Sequence, residues 1–279
     1  MEKYSVLTTL YEKEKPQYLR QCLDSMLAQT IPPDEYVIVK DGELNQDLEN
    51  VLSEYSEKYN IFKILSLEVN SGCGPASIVG MKACTNDLVA RIDSDDISLP
   101  NRCELELELF SNEDDLVVVG TDIYEFDKDP DKIIAIKRMP YSPEEIYQFG
   151  KRRNPINHST VMMRKSIVMQ YGGYAPIRRS LDLELFTKLL LNGCKCRNIG
   201  IPLVKFRTGN ERVKRKKNWL NFKCDLEVYK RNYQKKYMGV TDFVVVFLRQ
   251  IIFFLMPSKI AGFLYSKIYR EKFTSVDVN

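Results

Sequence analysis

Three carboxylates within four residues are the strongest chemical signal in the sequence. Residues 92–96 read Ile-Asp-Ser-Asp-Asp and follow a short apolar run typical of a buried strand. Carboxylates this close repel one another unless a cation lies beside them. Hard oxygen ligands suit Mg²⁺ or Mn²⁺, and such sites commonly combine one or two carboxylates with substrate phosphates. A solvated turn is the alternative, but the position between a strand and a helix beginning near Pro100 favours a metal site.

Two segments at other predicted strand ends could contact a nucleotide. Asp41 precedes Gly42 after a β-branched run. Its carboxylate could accept hydrogen bonds from a nucleobase or, more simply, begin a turn. Residues 70–75 form a glycine-rich entry to a helix, where free backbone N–H groups could hold a phosphate. The segment matches neither the G-x-G-x-x-G nor the P-loop pattern, so its spacing alone does not identify a phosphate site.

A third acidic position, Asp182, begins a predicted helix over residues 182–191. It shares a helix face with the apolar residues Leu185, Phe186, Leu189 and Leu190. An aspartate there could cap the helix, or face a cleft as a general base. Glu184 is predicted to point away from this face into solvent and to pair with Lys188 one turn later.

The chain has a single histidine, His158. No G-x-S-x-G motif and no catalytic-cysteine pattern accompanies it. We therefore expect a structural or acceptor-side role for this residue rather than nucleophilic catalysis.

The elements that must position these residues alternate between strand and helix in the first half of the chain. Such alternation predicts an α/β fold, with a mostly parallel central sheet covered by helices on both faces. Ligands of such sheets bind at the carboxyl ends of the strands, where the acidic residues above are predicted to lie. Predicted strands span residues 4–10, 35–40, 61–67, 88–92 and 116–124, and predicted helices span residues 16–28, 48–59, 75–84 and 100–110.

After about residue 125 the alternation ends. Residues 158–163 are predicted as a strand, and residues 199–206 as an edge or irregular strand because they contain Pro202. From residue 211 the pattern is helical and basic, and it becomes strongly apolar over residues 243–256.

Composition and charge exclude several classes of protein. The 279 residues are 44% hydrophobic and 28% charged, which excludes wholesale disorder. Seven scattered cysteines with one histidine suit reduced thiols in a cytosolic protein, not a disulfide framework or zinc site. Residues 84–131 hold fifteen acidic residues against three basic ones, and residues 205–236 hold twelve basic against three acidic. These zones suggest an acidic pocket and a basic contact surface, with solvated surface as the alternative.

The apolar stretch over residues 243–256 is too short to span a membrane. Its fourteen residues would extend about 21 Å as a helix, against a hydrocarbon core of ~30 Å. Beside a basic helix over residues 212–236, it suits peripheral attachment to the anionic inner face of the cytoplasmic membrane. A helical pair packed on the α/β domain is the alternative. We expect no nucleic-acid partner, because the basic run carries no recognised binding motif.

Taken in order, eight segments resemble family 2 glycosyltransferases of the GT-A type. The subgroup that the chain looks most like builds bacterial capsule, exopolysaccharide or O-antigen units. The resemblance covers residues 1–210, which we expect to form the catalytic domain, with residues 211–279 as a C-terminal helical extension. The segments are residues 5–11, 23–29, 37–42, 70–72, 92–96 with Leu99 and Pro100, 158–165, 172–174, and 182–185 with Asn192 and Gly193.

The resemblance implies an inverting transfer from a nucleotide-sugar, with uridine as the expected nucleoside, to a lipid-linked or saccharide acceptor. It also implies a divalent metal ion, Mn²⁺ or Mg²⁺, bound by Asp93 and Asp95. Asp182 matches the catalytic base, and His158 is the candidate on the acceptor side. The positions matching donor contacts are Thr9, Tyr11, Asp41, Gly72 and Asp93.

Three departures from the family pattern are visible. Lys40 stands where the family usually has a second acid before Asp41, and Leu181 replaces a frequent acid before Asp182. No Q-x-x-R-W motif occurs, which argues against a processive synthase. A nucleotidyltransferase remains an alternative because it also needs an α/β sheet and acidic metal ligands. A non-catalytic module that binds nucleotide-sugars or membranes is the alternative from a different class.

Overall fold

The computed structural model describes residues 2–208, 218–256 and 271–272. The first four strands are parallel, in the spatial order β3-β2-β1-β4, and helices connect them. The sequence predicted these elements to within two residues at each end. The elements are β1 (Tyr4–Leu10), α1 (Pro16–Leu27), β2 (Glu35–Asp41), α2 (Gln46–Lys58), β3 (Phe62–Leu67), α3 (Cys73–Ala83) and β4 (Leu88–Arg91).

The second half extends the sheet with mixed pairing. β8 lies antiparallel between β4 and β6, β7 and β10 continue that edge, and β9 pairs parallel with β6 and antiparallel with β5. The bounds are β5 (Ile97–Ser98), α4 (Arg102–Asn112), β6 (Leu116–Phe126), β7 (Ile133–Lys137), α5 (Pro143–Gly150), β8 (Met162–Arg164), α6 (Lys165–Gln170), α7 (Leu181–Leu191), β9 (Lys195–Arg207), α8 (Trp219–Gln234), α9 (Val240–Leu255) and β10 (Glu271–Lys272).

One predicted strand is wrong in its first half. Residues His158–Thr160 form a single 3₁₀ turn, and the strand β8 begins only at Met162. The Thr160 hydroxyl donates to the backbone oxygen of Asn157, 2.9 Å away. Local bonds of this kind compete with strand pairing, so they favour the turn. The predicted irregularity at Pro202 is confirmed, because the register of β9 against β6 shifts there.

Two apolar layers enclose the sheet. One face packs on α1, α2 and α4 through residues such as Leu19 and Leu107. The other face packs on α3 and α7 through residues such as Met81 and Phe186. Because successive strand residues alternate between faces, Val6 joins the first layer and Leu7 the second.

A fully buried ion pair lies within the first layer. Arg102 and Glu106 are one turn apart on α4, with 3.1 Å between Nε and Oε1 and no solvent exposure of either side chain. Burial raises the pKa of Glu106 to about 7, although the Arg102 charge opposes the shift. Arg102 also donates to the backbone oxygens of Arg91 and Val161, so this pair ties α4 to the end of β4.

The C-terminal helices α8 and α9 pack on the α/β domain. Leu183 of α7 forms a small apolar cluster with Val228, Tyr229, Met238 and Val246. This supports the packed-pair alternative for the inner faces of the two helices. The predicted basic segment over residues 212–217 lies outside the described residues. Within the part of the chain that the structure describes, no helix is both long enough and apolar enough to cross a bilayer.

Candidate active site

The carboxyl ends of β1, β2 and β4 meet at one edge of the sheet, and they carry most of the predicted donor residues. Asp41 ends β2 and is almost fully buried. Its carboxylate accepts hydrogen bonds from the backbone N–H groups of Ser71 (2.7 Å) and Gly72 (2.9 Å). Asp41 therefore holds the loop between β3 and α3, a role that its local sequence did not indicate, and its contact with a nucleobase stays a prediction.

The local geometry requires two glycines here, Gly72 at the end of the loop and Gly74 in the first turn of α3. Gly72 has a φ of +95°, a conformation that L side chains rarely adopt. A Cβ on Gly74 would lie 2.2 Å from the backbone oxygen of Ile177 and 2.7 Å from that of Ala175. The loop before α7 therefore packs directly on the start of α3.

The three carboxylates after β4 have different surroundings. Asp96 is fully buried and accepts a hydrogen bond from the backbone N–H of Arg207, 2.9 Å away. Burial, then the charges of Asp95 and Asp93, raise the pKa of Asp96 well above its usual range. Burial, then the charges of Glu14 and Asp93, raise the pKa of Asp95 to about 7. The side chain of Asp93 is 36% exposed to solvent and forms an ion pair with Arg91.

This cluster fits a cation shared with a phosphate ligand rather than a closed metal site. Among residues 2–208, 218–256 and 271–272, no group of three or more acidic, histidine or cysteine side chains could hold a metal ion alone. Asp93 and Asp95 could supply two oxygen ligands. Burial and then the charges of Glu14 and Asp93 raise the Asp95 pKa, and a divalent ion would oppose these effects. The remaining positions would fall to a diphosphate and water, as is usual for Mg²⁺.

Arg91, which the sequence analysis did not identify, lies behind this cluster. It is the last residue of β4 and is fully buried. Its Nη2 donates to Asp93 Oδ1 at 2.9 Å and to Thr9 Oγ1 at 2.8 Å. A basic residue at the end of an otherwise apolar strand, two positions before a carboxylate, was the available signal.

Two other positions that the family pattern marks lie at the same edge. Tyr11 follows β1 and is exposed. Lys40 pairs with Glu49 of α2 at 2.7 Å, so the lysine that replaces the family's usual acid has a partner within the fold.

His158 lies between two regions. One is the sheet edge formed by the ends of β1, β2 and β4, where most of the predicted donor residues lie, and the other is the first turn of α7, which carries Asp182. Its Nδ1 is 4.0 Å from Asp93 Oδ1, and its Nε2 is hydrogen-bonded to the Tyr174 hydroxyl at 2.9 Å. Burial, then the charge of Arg91, lower the His158 pKa, while Asp93 and Asp182 oppose this shift. The His158 ring centroid also lies 6.4 Å from that of Phe186, which is one helical turn after Asp182 on α7.

Asp182 lies in the first turn of α7 but does not cap the helix. Ser180 occupies the N-cap position with a φ of 60°. The Asp182 carboxylate instead accepts a hydrogen bond of 2.6 Å from the side-chain amide of Asn154. Asn154 was not identified from the sequence, because nothing in its local pattern links it to a residue 28 positions later.

The prediction that Glu184 faces solvent is wrong. Its side chain is buried and pairs with Lys188 at 3.3 Å, as expected, and also with Arg231 of α8 at 2.9 Å. The sequence showed one apolar face of α7, but α8 covers the opposite face. Glu184 is therefore a structural residue that joins two helices.

Comparison with known proteins gives matches over most of the chain. A family model described as glycosyl transferase family 2 matches residues 5–186. The amylovoran biosynthesis glycosyltransferase AmsE of Erwinia amylovora is 34% identical over 264 residues, 95% of this chain and 98% of that protein. The UDP-Gal:alpha-D-GlcNAc-diphosphoundecaprenol beta-1,3-galactosyltransferase of Escherichia coli is 33% identical over 269 residues, 96% of this chain and 97% of that protein.

The solved structure of S. aureus TarS 1-349 in complex with UDP-GlcNAc has the same fold. It aligns with a TM-score of 0.67 at 19% identity, covering 95% of this chain and 76% of that one. Fold and site thus define a GT-A-like α/β enzyme, as the resemblance implied. The chain belongs to glycosyl transferase family 2 and is a glycosyltransferase.

Proposed function

We propose that this glycosyltransferase moves a sugar from a UDP-sugar to a lipid-linked acceptor, with inversion at the anomeric carbon, during bacterial surface polysaccharide assembly. The observation that carries the proposal is the position of His158, which lies 4.0 Å from Asp93 and near Phe186, one helical turn after Asp182 on α7. In this proposal the donor-side carboxylate and the candidate base share one cleft.

In this mechanism Asp182 takes the proton from the acceptor hydroxyl. The hydroxyl oxygen forms a bond to the anomeric carbon as the bond from that carbon to the diphosphate breaks. UDP leaves with the bonding electron pair, from the face opposite the attack, so configuration inverts. Asn154 orients the base through its 2.6 Å hydrogen bond, and a single displacement requires no covalent enzyme intermediate.

Asp93 and Asp95 would hold a divalent ion, Mn²⁺ or Mg²⁺. When bound, the ion neutralises charge that develops on the departing diphosphate. Asp41 holds the loop of Ser71 and Gly72, and the exposed Tyr11 would contact the nucleotide.

The UDP part of the proposal rests on two relatives. The Escherichia coli enzyme is named for a UDP-galactose donor and a diphosphoundecaprenol-linked acceptor, and the S. aureus TarS structure contains UDP-GlcNAc. The polysaccharide part rests on the name of AmsE, an amylovoran biosynthesis enzyme.

The arrangement of α8 and α9 supports a lipid-linked acceptor. Ser180 bonds Asp225, and Glu184 pairs with Arg231, so α8 runs parallel to α7. The first turns of α8 therefore extend beyond the start of α7, which carries Asp182. There, the exposed Trp219 stacks on Phe222 with ring centroids 5.3 Å apart.

Helix α9 runs back along α8 and brings an apolar face to the same end. Phe254 contacts the rings of Trp219 and Phe222 at 5.7 and 5.4 Å. The exposed apolar residues of α9 lie at helical spacing and include Val245, Leu248, Ile252 and Leu255. We infer that this face rests on the inner leaflet of the cytoplasmic membrane, so that the cleft opens towards a membrane-held acceptor.

Product analysis tests the function. The full chain is incubated with a panel of nucleotide-sugars, Mn²⁺ and a prenyl-diphosphate-linked sugar, and the released nucleotide is identified. Free UDP together with a β-linked product from an α-linked donor is expected. Pyrophosphate release would indicate a nucleotidyltransferase instead. Tight nucleotide-sugar binding without turnover, under conditions where an established relative is active, would indicate a non-catalytic module.

A further inference from the structure

We propose that Arg91 is a positioning residue for donor binding, an inference that rests on the proposed function. Its buried guanidinium fixes the Thr9 hydroxyl, the Asp93 carboxylate and the start of α3 relative to one another. It acts through these neighbours, because both terminal nitrogens of its guanidinium already donate within the protein.

The contacts of Arg91 join three separate elements. Nη1 donates to the backbone oxygens of Leu7 (3.0 Å) and Ile92 (2.7 Å), which anchors the group between β1 and β4. Nη2 donates to Thr9 and Asp93 at 2.8 and 2.9 Å. The same nitrogen lies 3.7 Å from the sulfur of Cys73, the first residue of α3.

A buried cation at this position is unfavourable for folding, which indicates that Arg91 has a role other than packing. Burying a charge costs free energy that an apolar side chain on the same strand would avoid. Arg102 provides a comparison within the same molecule, because it is equally buried. Its charged partner is Glu106 on its own helix, whereas the charged partner of Arg91 is a residue of the donor site.

The geometry leaves one oxygen of Asp93 for a ligand. Arg91 donates to Oδ1, which restrains the rotation of the carboxylate and leaves Oδ2 for a ligand. The positive charge also offsets part of the repulsion between Asp93 and Asp95 before any cation or diphosphate arrives. A lysine would keep the charge, but it could not reach Thr9, Asp93 and two backbone oxygens at once, because it lacks the planar fork of arginine.

The test compares Arg91→Lys with the matched control Arg102→Lys. UDP affinity is measured by calorimetry with Mn²⁺ present, steady-state kinetics give donor KM and kcat, and the melting temperature records stability. Both variants are expected to lower the melting temperature. Only Arg91→Lys is expected to weaken UDP binding and raise donor KM, each by roughly tenfold, with a smaller change in kcat. Wild-type UDP affinity in Arg91→Lys, or equal weakening in Arg102→Lys, would overturn the proposal.

A second pair keeps the test decisive if Arg91→Lys does not fold. Arg91→Met removes the buried charge together with every donor, and the double change Arg102→Met with Glu106→Leu is its control, because it also removes a fully buried arginine. UDP affinity several-fold weaker in Arg91→Met and near wild type in the control supports the proposal, whereas wild-type affinity in Arg91→Met contradicts it. Failure of the wild-type chain to bind any UDP-sugar would instead count against the proposed donor.

Discussion

Asp182 accepts a hydrogen bond from a neutral amide, which orients the carboxylate without cancelling its charge. A general base needs both properties, since it must point at one proton and remain able to take it. Glu184, two residues later, is bound by two cations, Lys188 and Arg231. The two acids of one helical turn therefore have different surroundings: Asp182 bonds an amide from another segment, and Glu184 joins α7 to α8.

At this residue scale, Glu184→Gln should lower stability and leave chemistry largely intact. The change removes the charged partner of both cations in a buried setting, and we expect a loss of ~1–3 kcal/mol in the free energy of unfolding. Urea denaturation measures this loss. Glu54→Gln is the control, because Glu54 pairs with Arg20 at 2.6 Å but is 57% exposed, and such surface pairs contribute little to stability. Equal effects of the two changes would contradict the assigned burial.

Sequence patterns identify site residues only where the signal is local. Asp93, Asp95 and Asp182 are visible because each lies at the boundary of a periodic segment. Arg91 and Asn154 act on residues 82 and 28 positions away, Thr9 and Asp182 respectively. Arg91 can contact Thr9 only because β1 pairs with β4. Asn154 can contact Asp182 only because the segment before the 3₁₀ turn reaches α7.

At the scale of elements, the glycine-rich loop depends on a close backbone approach. Gly74→Ala would place a Cβ 2.2 Å from the Ile177 oxygen, and a backbone atom cannot rotate aside. We expect the start of α3 to shift and UDP affinity to fall several-fold, as titration would show. Gly80→Ala on the same helix is the control, because its Cβ would meet side-chain atoms of Leu7 and Val39. Gly80→Ala should reduce stability without weakening UDP binding. If Gly80→Ala weakened UDP binding more than Gly74→Ala did, this view of the loop would be wrong.

The buried pair on α4 gives a second test at this scale. Glu106→Gln leaves the Arg102 charge without a partner in the interior, and breaking a buried pair in this way typically costs ~3–5 kcal/mol. The double change Arg102→Met with Glu106→Leu should recover most of that stability, since an apolar pair needs no charge compensation. Chemical denaturation of the wild-type chain, Glu106→Gln and the double variant measures the free energy of unfolding of each. A double variant no more stable than Glu106→Gln would show that the backbone contacts of Arg102 are the dominant contribution.

The parallel half of the sheet was predictable because its signals are short-range. Apolar runs of four to seven residues alternate there with helical periodicity, and buried parallel strands need little else. The region after residue 125 lacks that regularity. β8 has only three residues, so its own sequence carries little signal. Its place between β4 and β6 depends on its pairing with those two strands.

At the scale of the whole molecule, we expect the protein to bind anionic membranes through α9. Ile252→Gln and Leu248→Gln should each reduce sedimentation with phosphatidylglycerol vesicles at low salt, because each removes an apolar side chain that faces solvent. Ile134→Gln is a matched control, since Ile134 and Ile252 are both 56% exposed and Ile134 lies on β7. Loss of binding in all three variants, or no binding by the wild-type chain, would exclude this orientation.

The central claim is that Asp182 is the base of a glycosyl transfer whose donor is held elsewhere in the cleft. The most direct measurement compares wild type and Asp182→Asn for UDP affinity and for transfer rate at saturating donor. An amide cannot take the acceptor proton, so the rate should fall by ~10²–10⁴. UDP affinity should stay within about twofold, because the proposed donor contacts lie with Asp41, Asp93 and Asp95. A variant that keeps wild-type turnover, or that loses UDP affinity in proportion to its rate, would contradict the assignment.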